Sequence, residues 1–461
     1  MKILFAASEY RPFSKTGGLA DVASALSVAF ASLGHEVLVC TPRYRGVDPS
    51  LAPRVPGLRF HFVEHPAYFD RPALYGEDGR DYDDNDLRFA FFARASLEAA
   101  AEESFEADIV HLHDWQAALA AFILRQERLV PRARVVYTVH NLAYQGVFPV
   151  ATLARVGIPR TSLARRELEF HGRVSFMKSG LVCADSVTTV SPRYAREIQT
   201  RELGFGLDGI LRERAAAGDL HGILNGADYA IWSPETDPSL PAPYTARRLA
   251  GKARSKSALQ RELGLEERKD APILGMVTRL DRQKGVDLVI DIADALMRLD
   301  VQLAILGSGD PALERRLTDL SGSYPARVGV RIGFIDRLAH LIQGGSDMLL
   351  MPSRWEPCGL NQMYALRYGT VPVVSAIGGL DDTVEEGRTG FKFDPHPQAD
   401  AAAAALLQAI GRALGLFRGN PAFWRRIMRN GMAKDFSWTS PASRYVELFE
   451  SLMGVEASAR R

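Results

Sequence analysis

The chain has only three cysteines in 461 residues, Cys40, Cys183 and Cys358. They are too few and too scattered for a disulfide framework or a zinc cluster, and such usage is typical of a reducing compartment. An excess of one charge sign is also lacking, since 56 Lys and Arg against 55 Asp and Glu leave a net charge of +1. No overall field would attract nucleic acid or an anionic membrane. We therefore expect neither as a partner.

Long apolar runs are missing as well. No uninterrupted stretch approaches the roughly 20 residues that cross a bilayer. The apolar run at the N-terminus ends at Glu9, which is too short for a signal peptide. These absences predict a cytoplasmic protein. The first glycine-rich turn also lacks the Gly-x-Gly-x-x-Gly pattern of nicotinamide-binding folds, which weakens a dehydrogenase interpretation.

Two similar glycine-rich phrases are present, GGLADV at residues 17–22 and GGLDDTV at residues 378–384. Each follows a hydrophobic strand-like run and leads into a helical pattern. Such a strand-to-helix turn is predicted to offer free backbone N–H groups to an anion. A ligand with a sugar at one end and a diphosphate at the other could be held between two such lobes.

The alternation of short buried strands with helices predicts an α/β fold with parallel sheets covered on both faces. Residues 241–270, between two such series, are polar and charge-rich, and Pro241 and Pro243 mark a predicted linker. We predict an N-terminal Rossmann-like domain over residues 1–243 and a C-terminal one over residues 244–440. Residues 441–461 are predicted to form a helix and tail that dock back on the N-terminal domain.

In parallel α/β sheets, ligands bind beyond the carboxyl ends of the strands, and candidate side chains occur in those loops. Lys15 precedes the first glycine pair, so its ammonium could reach a bound phosphate; a solvated surface lysine is the alternative. Arg279 and Lys284 bracket a loop after a buried strand, where two cations would stabilise a departing diphosphate. A structural ion pair with Asp281 or Asp287 is the alternative there.

Glu356 opens the phrase Glu-Pro-Cys-Gly-Leu after another buried strand. The proline fixes a turn, and the N–H groups of Cys358, Gly359 and Leu360 are predicted to open a helix that could receive phosphate. The carboxylate of Glu356 would then lie within reach of the sugar. Because Cys358 has no evident paired base, we interpret it as a small residue that offers its backbone, not as a thiol nucleophile.

Polar residues also follow two strands in the first half. His140 and Asn141 end a hydrophobic strand, where a side chain can project toward a ligand; a core or capping histidine is the alternative. Asp114 could be a helix N-cap, a ligand contact or both. The acidic run at residues 81–86 has the Asp-x-Asp spacing of metal-dependent sugar transferases. It does not follow a buried strand, so we predict a solvated loop and no metal.

Taken together, these phrases resemble the bacterial glycogen synthases, retaining glucosyltransferases related to plant starch synthases. The resemblance covers nearly the whole chain, and several long motifs in a fixed order make it specific. The matching segments are 15–22, 75–79, 113–116, 140–146, 225–229, 279–285, 356–360 and the second glycine phrase.

The resemblance implies a GT-B architecture, in which two Rossmann-like domains have parallel sheets that face an interdomain cleft, with no metal and no cofactor. It implies transfer of glucose from ADP-glucose to the 4-hydroxyl at the non-reducing end of an α-1,4-glucan such as glycogen, with retention of configuration. By this analogy the residues that handle the diphosphate are Lys15, Gly18, Arg279, Lys284, Cys358, Gly359 and Leu360. Those around the transferred glucose are Asp114, His140, Asn141, Asn225 and Glu356, while Asp21 matches a motif in which its role could be structural.

We expect catalytic roles for Glu356, His140, Lys284 and Arg279, and substrate binding by the others. The wider group of retaining enzymes often carries a second glutamate eight residues after the first. Here that position is Tyr364, and the absence of the glutamate is what the resemblance to the synthases predicts. With one well-placed carboxylate, we favour front-face substitution over double displacement. Trp355 and Asn361 depart from the aromatic residue and the threonine that the family typically has.

Alternatives stay open from sequence alone. One is another GT-B enzyme, such as a UDP-sugar transferase or a pyridoxal-phosphate glucan phosphorylase. A catalytically silent glucan-binding scaffold is another. The nucleotide base of the donor and the oligomeric state are not determined by these residues.

Overall fold

The computed structural model describes residues 1–77, 79–127, 129–161 and 166–454. The chain forms two compact units. Unit 1 contains Met1–Gly226 and the C-terminal segment from Trp438, and unit 2 contains Ala227–Ser437. Each unit is built on a large parallel sheet covered by helices, which confirms the predicted fold class.

Unit 1 has the following elements in its main segment. The strands are β1 Lys2–Ala6, β2 Glu36–Pro42, β3 Leu58–Val63, β4 Gly76–Glu77, β5 Arg80–Asp81, β6 Ile109–His113, β7 Arg134–Val139, β8 Val147–Phe148, β9 Glu169–Phe170, β10 Arg173–Ser175, β11 Ser186–Thr189 and β12 Leu220–Gly222. The helices are α1 Gly18–Ser32, α2 Pro66–Phe69, α3 Asn85–Glu102, α4 Asp114–Glu127, α5 Thr152–Arg155, α6 Phe176–Cys183, α7 Pro192–Glu197 and α8 Asp208–Ala216, with a 3₁₀ turn at Pro49–Leu51.

The main sheet of unit 1 has the strand order β12-β11-β7-β6-β1-β2-β3, and its pairings are parallel. Strand β1 lies in the centre, with Ile3 opposite Val37 of β2 and Ile109 of β6. Because helices cover both faces, the central strands are buried on both sides and read as nearly continuous apolar runs. Two small antiparallel sheets, β8-β10-β9 and β4-β5, lie outside this core.

Unit 2 repeats the same plan with six parallel strands in the order β15-β14-β13-β16-β17-β18. These strands are β13 Ile273–Val277, β14 Gln302–Gly307, β15 Val328–Ile332, β16 Met348–Met351, β17 Val371–Ser375 and β18 Phe391–Phe393. The helices are α9 Ala250–Leu263, α10 Val286–Asp291, α11 Ala293–Arg298, α12 Pro311–Ser323, α13 Asp336–Gly345, α14 Asn361–Arg367, α15 Gly378–Thr383, α16 Ala399–Gly419 and α17 Pro421–Met432.

The units meet after Gly226 and after Ser437. The predicted domain boundaries, at 243/244 and 440/441, lie 17 and 3 residues further along the chain. The segment 227–249 belongs to unit 2 through its own packing. Trp232 stacks on His340 with ring centroids 3.8 Å apart, and Asp237 Oδ2 lies 2.7 Å from His340 Nδ1. The predicted linker at 241–270 is wrong, since this segment contains α9, a helix with Leu259 and Leu263 buried against its unit.

One helix among the described residues, α16, is long and apolar enough to cross a membrane by length and composition. Asp400, Gln408 and Arg412 interrupt it, so it is not an uninterrupted apolar stretch of the kind that the sequence lacks. Buried core helices pass the same test, and the inward face of α16 contributes Leu406, Ile410 and Leu414 to the core of unit 2. The core packing explains the apolar composition of this helix.

The last helix, α18 Thr439–Leu452, packs in the core of unit 1. Phe449 is fully buried, and its ring lies 5.5 Å from that of Phe30 on α1. The ring of Tyr445 contacts that of Phe30 edge-on, with ring centroids 6.0 Å apart. The end of the predicted tail, 455–461, lies outside the described residues. The helix thus joins the distant end of the chain to the first βαβ unit.

We predict that Phe449→Ala destabilises unit 1 by about 3–5 kcal/mol, because it removes a fully buried ring and leaves a cavity. Glu447→Ala on the exposed side of the same helix should change the free energy of unfolding by no more than about 0.5 kcal/mol. Urea unfolding monitored by circular dichroism measures both. An unchanged midpoint for Phe449→Ala would show that this helix does not stabilise the unit.

Candidate active site

Loops that follow three adjacent strands of unit 1 carry predicted site residues. Lys15 lies in the loop after β1, Asp114 directly follows β6, and His140 directly follows β7. Strand β6 pairs in parallel with both β1 and β7. Because parallel strands have their carboxyl ends at one edge, the structure places all three residues along the same edge of the sheet.

The first glycine loop leads into α1, which begins at Gly18 with Gly17 as its N-cap residue. Lys15 Nζ donates to Asp21 Oδ1 at 2.9 Å and lies 2.8 Å from Oδ2. Arg11 lies 3.6 Å from the same carboxylate. Asp21 therefore holds the ammonium of Lys15 beside the start of the helix. This contact is a structural role for Asp21.

The backbone of this loop differs from the sequence expectation of free N–H groups. Glu9 Oε2 accepts hydrogen bonds from the backbone N–H groups of Thr16 at 2.7 Å and of Gly17 at 3.2 Å. Two of the donors expected for an anion are thus bonded to a protein carboxylate. A ligand at this loop would meet the N-terminal turn of α1, from Gly18 onward, where the helix dipole favours negative charge.

Asp114 has a left-handed backbone conformation, with φ of 54°, at the junction of β6 and α4. Such a conformation in a residue other than glycine is strained and persists where surrounding contacts fix it. Its Oδ1 accepts from the backbone N–H groups of His140 at 2.7 Å and of Asn141 at 3.4 Å. The carboxylate therefore ties the ends of β6 and β7 together. Burial raises the pKa of Asp114 to about 7, against the opposing effect of these two hydrogen bonds.

His140 lies next to a row of buried histidines. His113 Nδ1 and His140 Nε2 are 2.9 Å apart, and His111 Nε2 lies 2.7 Å from Thr138 Oγ1. Burial lowers the pKa of His140 to about 3, so its imidazole is neutral near pH 7. A neutral imidazole can donate or accept a hydrogen bond but cannot supply positive charge. His113 has no sequence signal apart from its position in the phrase His-Asp-Trp.

Asn141 and Asn225 use their side chains differently. Asn141 Oδ1 accepts from the backbone N–H of Ala143 at 3.1 Å, which fixes the turn after β7. Asn225 follows β12 at the side of the sheet beyond β7 and is 5% exposed. Its Oδ1 has no hydrogen-bond partner in the described part of the chain. Since buried polar atoms are generally paired, this oxygen is available to a ligand.

In unit 2, a short and largely buried ion pair joins two predicted residues, with 18% of the Lys284 side chain exposed. Lys284 Nζ donates to Glu356 Oε2 at 2.6 Å, and Ser353 Oγ donates to the same oxygen at 2.9 Å. Glu356 is only 4% exposed. The strands β13 and β16, which precede Lys284 and Glu356, are neighbours in the sheet. The structure therefore brings this cation and this carboxylate together at one edge, as their positions after parallel strands predict.

Arg279 lies at the start of the same loop. Its Nη2 is 3.5 Å from Asp281 Oδ2 and 3.3 Å from Gln283 Oε1. Asp281 also accepts from the backbone N–H of Lys284 at 2.9 Å, so it closes the loop between the two cations. Arg279 keeps nearly half of its side chain exposed, at 45%. An ion pair with Asp281 is present, as the structural alternative predicts, and the guanidinium still faces solvent.

The turn after Glu356 is shaped by the second glycine phrase. Gly359 has φ of 69°, and α14 begins at Asn361, one residue beyond Leu360. A Cβ atom on Gly378 would lie 1.8 Å from the carbonyl oxygen of Glu356, and one on Gly379 would lie 2.2 Å from that of Cys358. The two glycines therefore allow close packing under the turn. As at the first glycine phrase, a helix begins here, since α15 starts at Gly378. The backbone N–H of Gly379 donates to the carbonyl oxygens of Glu356 and Pro357 at 3.3 Å.

Tyr364, which stands where the wider retaining group often has a glutamate, and Asn361, which departs from the family pattern, both have structural partners. Tyr364 stacks on Trp232 with ring centroids 4.1 Å apart and nearly parallel rings. Asn361 Nδ2 donates to the carbonyl oxygen of Val277 at 2.8 Å, which ties α14 to the end of β13. Tyr364 thus takes part in packing between the segment 227–249 and α14, in place of a second carboxylate.

The acidic run at 81–86 is only partly the solvated loop that we predict from sequence. Asp81, in β5, is exposed, whereas Asp86 is 1% exposed. Asp86 Oδ2 accepts hydrogen bonds from Thr152 Oγ1 at 2.6 Å and from Arg155 Nη1 at 2.8 Å. Its burial depends on contacts distant in sequence. In the described ranges no group of three or more His, Cys, Asp or Glu side chains is arranged to hold a metal ion. Asp78 of the matching phrase 75–79 lies outside those ranges.

Sequence reasoning does not single out three residues at these edges. Glu9 binds the first glycine loop, Ser353 binds Glu356, and Phe334 follows β15 with 72% of its surface exposed. Phe334 lies beyond the carboxyl end of a parallel strand, where ligands bind in sheets of this kind. The sequence does not show that Phe334 is exposed or that Glu9 binds the glycine loop. Both facts come from the three-dimensional structure.

We predict that Asp114→Asn flattens the dependence of stability on pH between about pH 4 and pH 7. The unfolded aspartate loses its proton near its ordinary pKa of 3.8, whereas the folded one retains it up to about pH 7. Its contribution to stability is therefore complete below pH 3.8 and is lost as the pH rises toward 7. Asparagine keeps the accepting oxygen and tolerates the left-handed conformation.

The measurement is the free energy of urea unfolding of both proteins at half-unit pH intervals. The difference between them should change by up to about 1.4 kcal/mol per pH unit inside this range. Parallel profiles would show that Asp114 does not titrate in this way.

Comparison with known proteins places both units in one family. The starch synthase catalytic domain matches residues 2–213, and the glycosyl transferases group 1 domain matches residues 262–412. The glycogen synthase of Anaeromyxobacter dehalogenans strain 2CP-C is 50% identical, over 98% of this chain and all of its own length. The glycogen synthase of Koribacter versatilis strain Ellin345 is 47% identical, over 99% of each chain.

Solved structures agree with this placement. The catalytic domain of starch synthase IV from Arabidopsis thaliana, bound to ADP and acarbose, matches with a TM-score of 0.90 and 32% identity. The match covers 98% of this chain and 99% of that one. Sucrose-phosphate synthase from Thermosynechococcus elongatus, at 22% identity and a TM-score of 0.67, shares the fold. The fold is GT-B, and the chain belongs to the glycogen synthase and starch synthase family of glycosyltransferases.

Proposed function

We propose that this enzyme transfers glucose from ADP-glucose to the 4-hydroxyl at the non-reducing end of an α-1,4-glucan, with retention of configuration. The observation that carries the proposal is family membership over both units, together with a structural relative that binds ADP and acarbose. The buried pair of Lys284 and Glu356 at the sheet edge of unit 2 supports the chemistry.

The leaving group of this reaction is a diphosphate, which gains negative charge as the bond from its oxygen to C1 of glucose breaks. Arg279 and Lys284 flank one loop and present two cations to such a group. Interactions that strengthen as charge develops lower the barrier more than they lower the energy of the bound donor. Lys15 beside the N-terminus of α1 is suited to the same task in unit 1.

In the proposed front-face step, the glucan 4-hydroxyl attacks C1 on the side from which the diphosphate leaves. The C1–O bond to ADP breaks, a new C1–O4 bond forms, and the hydroxyl proton passes to a departing phosphate oxygen. Glu356 would stabilise the positive charge that develops on the sugar. Neutral His140 and the unpaired Oδ1 of Asn225 would bind glucose hydroxyls.

The exposed ring of Phe334 is suited to the nucleotide base. It follows β15 in unit 2, and 72% of its surface is exposed, so that the ring could stack on adenine. Stacking alone distinguishes bases weakly, because every base has an aromatic face. The choice of ADP-glucose over UDP-glucose therefore rests on the family and needs a direct test.

The test supplies glycogen primer with ADP-glucose or UDP-glucose and measures release of nucleoside diphosphate and growth of the glucan chains. We predict that kcat/KM with ADP-glucose exceeds that with UDP-glucose at least about tenfold, a difference of about 1.4 kcal/mol. Equal or faster use of UDP-glucose would identify a different donor. Release of ADP without chain growth would contradict the synthase reaction.

A second prediction concerns the ion pair. Glu356→Gln and Lys284→Met keep the side-chain size, and each should lower kcat by about 100-fold or more, since each removes a charge from the proposed transition-state site. A matched control is Lys256→Met, which breaks the pair with Asp347 at 2.8 Å in the same unit. The control should lose stability and keep its kcat.

Thermal unfolding of all three variants separates loss of fold from loss of chemistry. A kcat of Glu356→Gln within twofold of the parent would overturn the assignment of this carboxylate. If Lys256→Met lost as much kcat as Lys284→Met, the effect would be a general consequence of breaking a buried ion pair.

A further inference from the structure

Glu9 is a buried carboxylate with four hydrogen-bond donors around it. It lies in the loop after β1 and is 3% exposed. Its Oε2 accepts from the backbone N–H groups of Thr16 and Gly17, as described above. Its Oε1 accepts from Thr16 Oγ1 at 2.7 Å and from Tyr75 Oη at 2.8 Å. Each oxygen thus has two donors.

The contacts on Thr16 and Gly17 matter because they fall directly after Lys15. Two consecutive glycines follow, and glycine has little conformational preference of its own. A Cβ atom on Gly17 would meet no atom within 4 Å, so neighbouring side chains do not confine the backbone there. Of the described contacts, those of Glu9 restrain this part of the loop most directly.

Tyr75 connects Glu9 to a second anchor. Its hydroxyl lies 2.9 Å from Ser8 Oγ, and the backbone carbonyl of Tyr75 accepts from Asn85 Nδ2 at 2.9 Å. Arg88, which is fully buried, donates to the carbonyl oxygen of the adjacent Leu74 at 2.9 Å. The segment before α3 is thereby fixed to the helix, and its tyrosine is fixed to Glu9.

A direct chemical role for Glu9 does not fit this geometry. A general base needs a lone pair directed at the proton that it removes. The oxygens of Glu9 are occupied by four donors from the protein, and almost none of the residue reaches solvent. What the carboxylate does in the fold is hold two parts of the loop at fixed positions.

We propose that Glu9, with Tyr75 as its support, is a positioning residue that fixes the glycine loop so that Lys15 and the N-terminus of α1 are in place for the diphosphate. The proposal rests on the proposed function of that loop. Neither residue touches the substrate in this account. They act through the backbone of Thr16 and Gly17.

The geometry, not the charge, is the essential property, and this can be tested with an amide. In Glu9→Gln, the side-chain oxygen can accept from the two backbone N–H groups. The amide NH₂ can then donate to the hydroxyls of Thr16 and Tyr75, since hydroxyl groups both donate and accept. In Glu9→Ala, both N–H groups lose their partner. Tyr75→Phe removes only the hydroxyl that supports Glu9.

The experiment measures donor and glucan kinetics for Glu9→Gln, Glu9→Ala and Tyr75→Phe. We expect kcat/KM for the donor to fall about tenfold in Tyr75→Phe and more in Glu9→Ala, in line with the loss of hydrogen bonds to a charged group. Glu9→Gln should remain within about threefold of the parent. The KM for the glucan should not change, whereas a general loss of structure would alter both substrates.

Tyr82→Phe is the matched control. Tyr82 lies in the same segment, and its hydroxyl contacts Glu77 and the backbone of Ala73 without reaching Glu9. It should have the kinetics of the parent. A tenfold loss in this control, or in Glu9→Gln, would overturn the positioning role. If Glu9→Ala does not fold, Tyr75→Phe and Glu9→Gln still decide the question.

Hydrogen–deuterium exchange of the segment 11–20 provides a readout that is independent of activity. Exchange should increase in Glu9→Ala and Tyr75→Phe and remain as in the parent in Glu9→Gln. Unchanged exchange in Tyr75→Phe and Glu9→Ala would overturn the proposal. Increased exchange with unchanged donor kinetics would support Glu9 as the residue that holds the loop, and the failure would then lie in the proposed diphosphate role of the loop.

Discussion

In both large sheets the strands pair in parallel, so the carboxyl ends of neighbouring strands open onto one edge. The positions of the candidate site residues depend on this parallel pairing. It places Asp114 beside His140 in unit 1, although they are 26 residues apart in sequence. In unit 2 it places Lys284 beside Glu356, which are 72 residues apart. The residue types then determine the chemistry. A tight cation–carboxylate pair marks the edge of unit 2, and neutral hydrogen-bonding groups mark much of the edge of unit 1.

The two glycine phrases show how similar sequences can serve different physical ends. Around Gly17 there is open space, and the backbone is held from one side by Glu9. At Gly378 and Gly379 the backbone of the Glu356 turn approaches so closely that any side chain would collide. At Gly17 the backbone is extended and a side chain would meet no obstacle, so close packing does not require glycine there. The second phrase needs glycine for close packing.

Much of the fold and of the candidate site could be predicted because the relevant signals are local. The strand at Arg134–Val139 and the turn at Glu356 are both evident from short patterns, and fixed motif order identified the family. Partners distant in sequence could not be predicted in this way. Nothing near Asp86 indicates Arg155, and nothing near Glu9 indicates Tyr75. The sequence predicts a linker where α9 lies because a polar helix on the surface of a domain has the composition of a linker.

The electrostatics of the predicted cations have a consequence for donor binding. Lys15 is paired with Asp21, Arg279 with Asp281 and Lys284 with Glu356. In the proposed reaction, a diphosphate would share Arg279 and Lys284 with these carboxylates, which would limit how strongly the intact donor is held. As the bond to glucose breaks, charge accumulates on the leaving oxygen and its attraction to the same cations increases. Because attraction to a cation grows with the charge on the anion, these cations would, in the proposed reaction, stabilise the departing diphosphate more than the bound donor.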